Sequence, residues 1–570
     1  MKKVILILLS VALLLTLFSG CSSSKDSGDS EKAGTVGGEV EGTPAEEDFN
    51  ETSVLNLVWG GSAGDDIFES PWRDNQCLMW DMVSDTLIKY DVGGNSFVNR
   101  LATDWSMSDD ALEYTFKIRE DATWHDGEPV TAEDVVFSFN AMFRDPHAVF
   151  KQNYTSIEGS NAVIEGEADL VSGIELNDNV VTFKLSSPNS LFTHHLCRMV
   201  ILPKHLLGDV EADKVSIDET FWTKPILCGP YKIDQVSFAN YCTAVPYEGY
   251  YGSQPAIKNV TFTSYRVGGA EAEAAAFIAG ELDYRNTSSG ANDIAFANNV
   301  VSQNPDLTYD LIPSTYYREF QFNTVGSTDG KYNDDMQKKE VRQAINLLLD
   351  KEALANFYEG QGLALSTGVS PLSDEYNADI PLFKRDIGKA KELLKGANFD
   401  FDRTVRIVYY YDDQKTTDFM ELVKQNLADG GIKADATLLT GDLDAAIDVQ
   451  RNWDILYAGS ATSSFFENYA YLLPGSIYDN YFGDTEYRNE TFRPLWNGYL
   501  EAKNNEEMKY YLDKLQAEAL DYCIDIPVYT LSRVAIYNKN KLFFDPEWHE
   551  HREYALNFGD WGFDQWRLMK

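Results

Sequence analysis

Positive charge is scarce in this sequence. Against 90 Asp and Glu stand 48 Lys and Arg, a formal net charge of −42 over 570 residues. A surface this acidic repels phosphate backbones, which argues against a nucleic-acid partner. Histidine (7) and cysteine (6) are also few. No two cysteines have the spacing of a zinc site, and no glycine-lysine phosphate loop is present. No metal and no cofactor is therefore expected, and any ATP chemistry belongs to a partner protein.

Long apolar runs are missing as well, with one exception at the start. Lys2 and Lys3 precede an almost unbroken apolar run from Val4 to Phe18, and Ser19-Gly20-Cys21 follows. A charged start, a short apolar core and small residues before a cleavage point describe a secretory signal over 1–20. The run is short for a membrane-spanning helix. Cys21 stands where a bacterial lipobox places its lipidated cysteine, although Phe18 and Ser19 replace the commoner Leu-Ala pair. Residues 22–52 are rich in Ser, Gly, Glu and Asp and hold too few large apolar groups to fold, so 21–52 reads as a lipidated cysteine and its tether. The expected location is the outer face of the cytoplasmic membrane, with a lipid anchor holding the protein there. Five cysteines remain, an odd number. Cys228 and Cys242 flank a hairpin and are the pair placed to bridge, whereas five buried thiols is the simpler reading.

What is abundant is globular material. The chain is 44% hydrophobic and 13% aromatic, and too long for a single core. Glu113–Arg119 alternates Tyr114, Phe116 and Ile118 with polar neighbours, as a half-buried strand does. Asp126-Gly127 signals a turn. Thr131-Ala-Glu-Asp134 fits a capping box before a helix with Val135, Val136, Phe139, Met142 and Phe143 on one face, stopped at Asp145-Pro146. The histidine and acids of Thr123–Ser138 therefore read as scaffolding, not as catalytic groups. Further on, strands at Thr404–Tyr411, Lys433–Leu439 and Trp453–Tyr457 alternate with helices at Thr416–Ala428 and Asp442–Gln450. This is an α/β pattern that implies parallel pairing.

Two rival functions carry motifs. Gly60-Gly-Ser-Ala-Gly64 matches the Gly-x-Ser-x-Gly elbow of serine hydrolases, with Ser62 as nucleophile. The elbow strand belongs inside a sheet, yet only a tether precedes Val54, and Pro71 leaves little room for the helix that should follow. His194-His195-x-Cys197 and His549-x-His551 suit a soft cation; the second pair lies among Glu547, Glu550 and Glu553 and reads better as a solvated face.

Tyr114–Ser138 resembles the signature segment of the family 5 extracellular solute-binding proteins, the oligopeptide, dipeptide and nickel receptors of ABC importers. Leu101–Asp110, Ile201–His205, Gly229–Ile233, Glu340–Leu354 and Ala390–Ala397 are similar to further family segments in the same order. The resemblance spans about 53–570. It implies an α/β, two-lobe periplasmic-binding-protein (Venus-flytrap) fold of the large class, with an extra subdomain in the N-lobe. Lobe I would comprise 53–266 and 525–570, including the extra subdomain at 69–179, and lobe II would comprise 267–524. The crossings would lie near Tyr265–Gly269 and Cys523–Pro527. It also implies the partners: a small solute, most simply a peptide, and ABC permease subunits that pair with ATPases. No catalysis is expected. The candidate solute contacts are Trp59, Ser62, Tyr316, Tyr317, Tyr457, Ser460, Ser463 and Phe465. One departure stands out. Peptide receptors of the family carry an aspartate for the peptide's α-ammonium where this chain has Ser460. A buried ammonium without its counter-charge costs several kcal/mol, so an oligosaccharide or other neutral solute is the alternative.

Overall fold

The computed structural model describes residues 44–45, 48–50, 52–59, 67–73, 78–91, 96–238, 240–286, 292–312, 314–331, 334–371, 373, 375–460, 469–475, 477–546, 548–549, 562–563 and 566–570. Cys21, Cys77 and Ser62 lie outside them. Two large mixed sheets organise the described chain. The seven-stranded sheet runs in the order Leu307–Ile312, Arg533–Asn538, Tyr284–Asn286, Val54–Val58, Asn259–Thr263, Tyr241–Pro246, Tyr231–Ser237. The six-stranded sheet runs Gly362–Ala364, Asp525–Leu531, Tyr317–Phe322, Ile455–Ser460, Thr404–Tyr409, Lys433–Leu438. Its last three strands pair in parallel, as alternation of strand and helix requires. The helix expected at 442–450 is a wide π-type turn over Ala445–Gln450.

Sheet membership moves the crossings between lobes. Tyr284–Asn286 and Leu307–Ile312 read in sequence as the opening of lobe II, but their hydrogen bonds go to the seven-stranded sheet. The chain leaves that sheet after Ile312 and enters the six-stranded one at Tyr317. It returns between Leu531 and Arg533, so a single residue, Ser532, separates two strands in different sheets. The strands therefore change sheet between Ile312 and Tyr317 and again at Ser532, whereas the boundaries expected from sequence lie at 266/267 and 524/525. A strand's identity lies in its partner, and the partner is remote in sequence. The two crossings touch: Thr530 Oγ1 donates to Tyr316 O (2.7 Å) and Ser314 O (3.2 Å). Buried Gln361 accepts at its backbone from Ser532 N (3.0 Å) and donates from Nε2 to Ser532 O (3.1 Å).

A four-stranded antiparallel sheet of Ala102–Met107, Glu113–Ile118, Val180–Lys184 and Ile174–Asn177 carries the stretch that looked chemical, so the extra subdomain reaches past 179. Here the helix Ala132–Arg144 buries Val135, Phe139, Met142 and Phe143. Its Asp134 carboxylate accepts from the Thr131 backbone N–H (2.7 Å), the Thr131 hydroxyl (2.9 Å) and Lys204 N–H (2.8 Å). A first-turn acid thus caps the helix and pins a distant loop. His125 Nε2 donates to Gly229 O (3.1 Å) and Nδ1 accepts from Leu227 N–H (3.4 Å). Burial pushes its pKa down to about 4, so the ring is a neutral clasp. Cys197, Cys228, Cys242 and Cys523 are free and buried, so Cys228 and Cys242 do not bridge. No helix among the described residues is long and apolar enough to cross a membrane.

Replacing Asp134 by Ala removes the cap and orphans the Lys204 N–H. The expected cost is about 3 kcal/mol, read as a lower denaturant midpoint with unchanged solute affinity.

Candidate functional site

A cavity of about 920 Å³ lies between the subdomain side of the first lobe and the six-stranded lobe. This is near the upper end of the roughly 300–1,000 Å³ usual for small-molecule sites. One wall carries Gln152, Asn153, Asn189 and His195; the other carries Tyr317, Gly459, Ser460, Tyr471, Tyr478 and Trp496. At one end the lobes are bridged. The last turn of the helix Thr485–Leu500 ends in carbonyls that can take further donors. Ser190 from the opposite lobe supplies them, donating its N–H to Leu500 O (2.8 Å) and its hydroxyl to Tyr499 O (2.8 Å). No Lys, Arg, Asp or Glu among the described residues lines the cavity. Burial pushes the His195 pKa down to about 3, so that ring is neutral at ordinary pH.

The structure sorts the sequence candidates. Tyr317 and Ser460 sit opposite each other on paired strands and both face the cavity. Tyr316 lies on the other face of its strand, under the Arg318 guanidinium that donates to its hydroxyl. That guanidinium also stacks on Tyr411 at 3.7 Å. Gly459 leaves space for this pair, because a Cβ there would collide with both Tyr316 and Arg318. Tyr457 is core: its hydroxyl bonds that of Tyr529 (2.5 Å), and its ring packs on Phe320 and Phe419. Trp59 is core too, against Phe68 and Phe238. Ser62, Ser463 and Phe465 lie outside the described residues, as does His551. His194 packs edge-on against Phe97 (4.9 Å). Its pKa is also pushed to about 3 by burial. Among the described residues no cluster of three or more His, Cys, Asp or Glu forms a metal site.

Behind the cavity wall sit two acids that sequence reasoning missed. Glu319 and Gln321 share a strand face with Tyr317 because side chains alternate. Asp525 lies directly across from Gln321 on the neighbouring strand. Both acids are buried. Glu319 Oε1 accepts from Gln321 Nε2 (2.6 Å) and from the Ser460 hydroxyl. Oε2 meets no donor, which makes it the place for a proton. Burial, then the neighbouring Asp525 charge, raises the Glu319 carboxyl well above its usual range. Burial raises Asp525 as well, but hydrogen bonds from Glu319 and Tyr471 favour its charged form. The Tyr471 hydroxyl donates to Asp525 Oδ2 at 2.6 Å. Both carboxyls are raised, Glu319 well above its usual range, so Glu319 is the member of the pair placed to hold a proton against Asp525. No local signal marked them: Glu319 sits in an ordinary strand, and Asp525 is on another strand that only the fold brings alongside.

The family profile described as "Bacterial extracellular solute-binding proteins, family 5 Middle" matches residues 96–487. The oligopeptide-binding protein AppA of Bacillus subtilis (strain 168) is 27% identical over 404 residues, covering 70% of this chain and 67% of its own. The dipeptide-binding protein of Escherichia coli (strain K12) is 26% identical, covering 55% of this chain and 57% of its own. The solved structure of a putative peptide-binding protein AppA from Clostridium difficile superposes with a TM-score of 0.73 at 19% identity, covering 90% of this chain and 100% of that one. That likeness establishes the two-lobe fold.

A glutamate whose pKa is raised in the folded state stabilises below its ordinary value of 4.5 and loses that contribution as pH rises toward the folded value. Glu319→Gln removes this dependence. The variant is expected to lose less thermal stability than the parent between pH 5 and pH 8, measured by melting temperature.

Proposed function

We propose, on the premise that the chain belongs to the bacterial extracellular solute-binding proteins of family 5, that it is the lipid-anchored receptor of an ABC importer. In this reading it captures a peptide in the cleft and hands it to the permease unaltered. Members of the family are solute receptors, not enzymes. That answers the hydrolase reading of Ser62. The observation that carries the proposal is the cavity of about 920 Å³ lined from both lobes, whose walls are aromatic and polar. Closure about the paired crossings at 313–316 and 532 would trap the solute. The anchor rests on Cys21 after its apolar leader, with 22–52 as the leash. The permease pairs with ATPase subunits, which fits a chain without a phosphate loop. A second reading, an oligosaccharide, draws on the Ser156, Ser186 and Ser187 hydroxyls beside Tyr478 and Trp496.

A ligand that binds only the folded state adds about 2.7 kcal/mol at a hundred times its dissociation constant. Peptide pools are therefore expected to raise the melting temperature by several degrees, and mass spectrometry should recover the bound peptide unchanged. Stabilisation by glycans alone would retire the peptide.

Cys21→Ser is expected to move the protein from the membrane fraction to the soluble exported fraction, read by fractionation and immunoblot. Unchanged membrane retention would remove the lipid anchor.

A further inference from the structure

Buried cations in this chain are held by acceptors. Arg342 donates to the carbonyls of Met336, Gln337, Tyr522 and Cys523. Arg488 donates to those of Leu472, Leu473 and Phe482 and pairs with Asp479. Lys351 donates to those of Leu365 and Pro527. Arg533 differs. It opens the strand that returns after Ser532 and stands across from Ile312, the last residue of the strand before the other crossing. It is half-buried. No acid pairs with it among the described residues, and its buried Nε meets no acceptor. Burial, then the Arg198 charge, works against its charged form. Arg198 follows closely on His195, which lines the cavity. Arg533 thus stands where the first wall of the cavity meets the crossings.

A second unsatisfied group lies beside it. Asn286 ends the neighbouring strand and pairs with Ala535. Side chains alternate along a strand. Val534 and Ile536 pack with Phe277 of the helix Gly269–Ala279, whereas Tyr284, Ile312 and Ala535 belong to the main core on the opposite face. Asn286 and Arg533 share that opposite face as diagonal neighbours on adjacent strands, roughly 7–8 Å apart and within reach of a long side chain. Both polar atoms of the Asn286 amide, Nδ2 and Oδ1, are buried without a partner. A cation and a whole amide left unpaired side by side are costly to a fold, and a ligand that completes them removes the cost. In a chain with 90 Asp and Glu, the missing partner of Arg533 does not reflect a lack of acids.

We infer that Arg533 and Asn286 form a carboxylate-binding subsite on the seven-stranded sheet, at the end where the chain leaves that sheet and returns to it. The inference rests on the peptide-receptor reading and adds a charge preference to it. A guanidinium presents a planar fork of N–H donors that matches two carboxylate oxygens, and Nδ2 of Asn286 supplies one donor more. Oδ1 is left to accept from a donor beside the carboxylate, such as a peptide N–H. A solute ammonium would meet Arg533 as a like charge, and a neutral hydroxyl would leave the cation without a counter-charge. No Lys, Arg, Asp or Glu among the described residues lines the adjoining cavity to offer a competing charge.

The test uses the purified protein, its Arg533→Met and Asn286→Asp variants, and melting-temperature shifts. Without solute, Arg533→Met is expected to melt higher than the parent, because it breaks no bond and removes an unpaired charge. A lower melting temperature would show that the guanidinium serves the fold and would overturn the inference. Three pentapeptide pools are built from Ala, Ser, Leu and Asn: one with a free C-terminus, one amidated, and one amidated with a single Glu. At least one carboxylate-bearing pool is expected to act at about tenfold lower concentration than the plain amidated pool. Which of the two does so separates a main-chain from a side-chain carboxylate. Each substitution is expected to erase most of that ratio, Asn286→Asp by placing a like charge where the carboxylate docks. If all three pools act alike, the carboxylate subsite is overturned while the peptide receptor stands. If no peptide acts but oligogalacturonates beat their methyl esters tenfold, the peptide falls and the subsite stands. A ratio that survives both substitutions, or no shift with any carboxylate-bearing pool, overturns the inference.

Discussion

Ser532 is one residue between two sheets. The strand before it hydrogen-bonds into the six-stranded sheet and the strand after it into the seven-stranded sheet, so the chain has no slack there. Gln361 grips both backbone groups of Ser532, and Thr530 ties the outgoing crossing to the returning one. Each such bond is worth about 1 kcal/mol net, but their geometric effect is larger. They tie the Tyr529–Leu531 end of that strand to Tyr317 and Arg318; beyond it the register shifts between Arg318 and Glu319, and this sets Asp525 across from Gln321. With the register fixed, Tyr317, Glu319 and Gln321 face the cavity side together, with Asp525 alongside.

That placement has an electrostatic consequence. Two adjacent carboxyls removed from water cannot both ionise, because the desolvation of two like charges exceeds what nearby donors return. A proton on Glu319 relieves the conflict, and four side chains are organised around the pair. Gln321 and Ser460 donate to Glu319, Tyr471 donates to Asp525, and Tyr481 holds Gln321 through a 2.8 Å bond to its Oε1.

The part of the chain richest in apparent chemistry turned out to hold things together. Asp134 closes a helix start and fixes a loop 70 residues away, and His125 is a neutral clasp between two carbonyl-bearing turns. Capping boxes, turns and histidines at loop corners use the same residue types as catalytic sites, because the same hydrogen-bonding capacity serves both. What distinguishes them is whether the groups are satisfied. Asp134 is fully engaged by the helix start and the Lys204 N–H.

Local pattern fixed a good deal of this protein: the capped helix at 132–144, three parallel strands read at 404–411, 433–439 and 453–457 and found at 404–409, 433–438 and 455–460, and the motifs that place the chain in its family. These depend on neighbours within a few residues, where periodicity and capping chemistry act directly. Tyr317 and Ser460, named from the sequence as candidate contacts, stand opposite each other at strand ends and line the cavity. Trp59 and Tyr457 were drawn to the same region by the same reasoning and proved to be core. An aromatic residue at the end of a strand has no local mark of which face it occupies. The crossings at 313–316 and 532, the membership of Tyr284–Asn286, and the acid pair beneath Ser460 were decided only by tertiary structure. Each depends on hydrogen bonds between residues more than a hundred positions apart, and such pairings follow from which strands find each other, a matter on which the residues of a single segment carry no information.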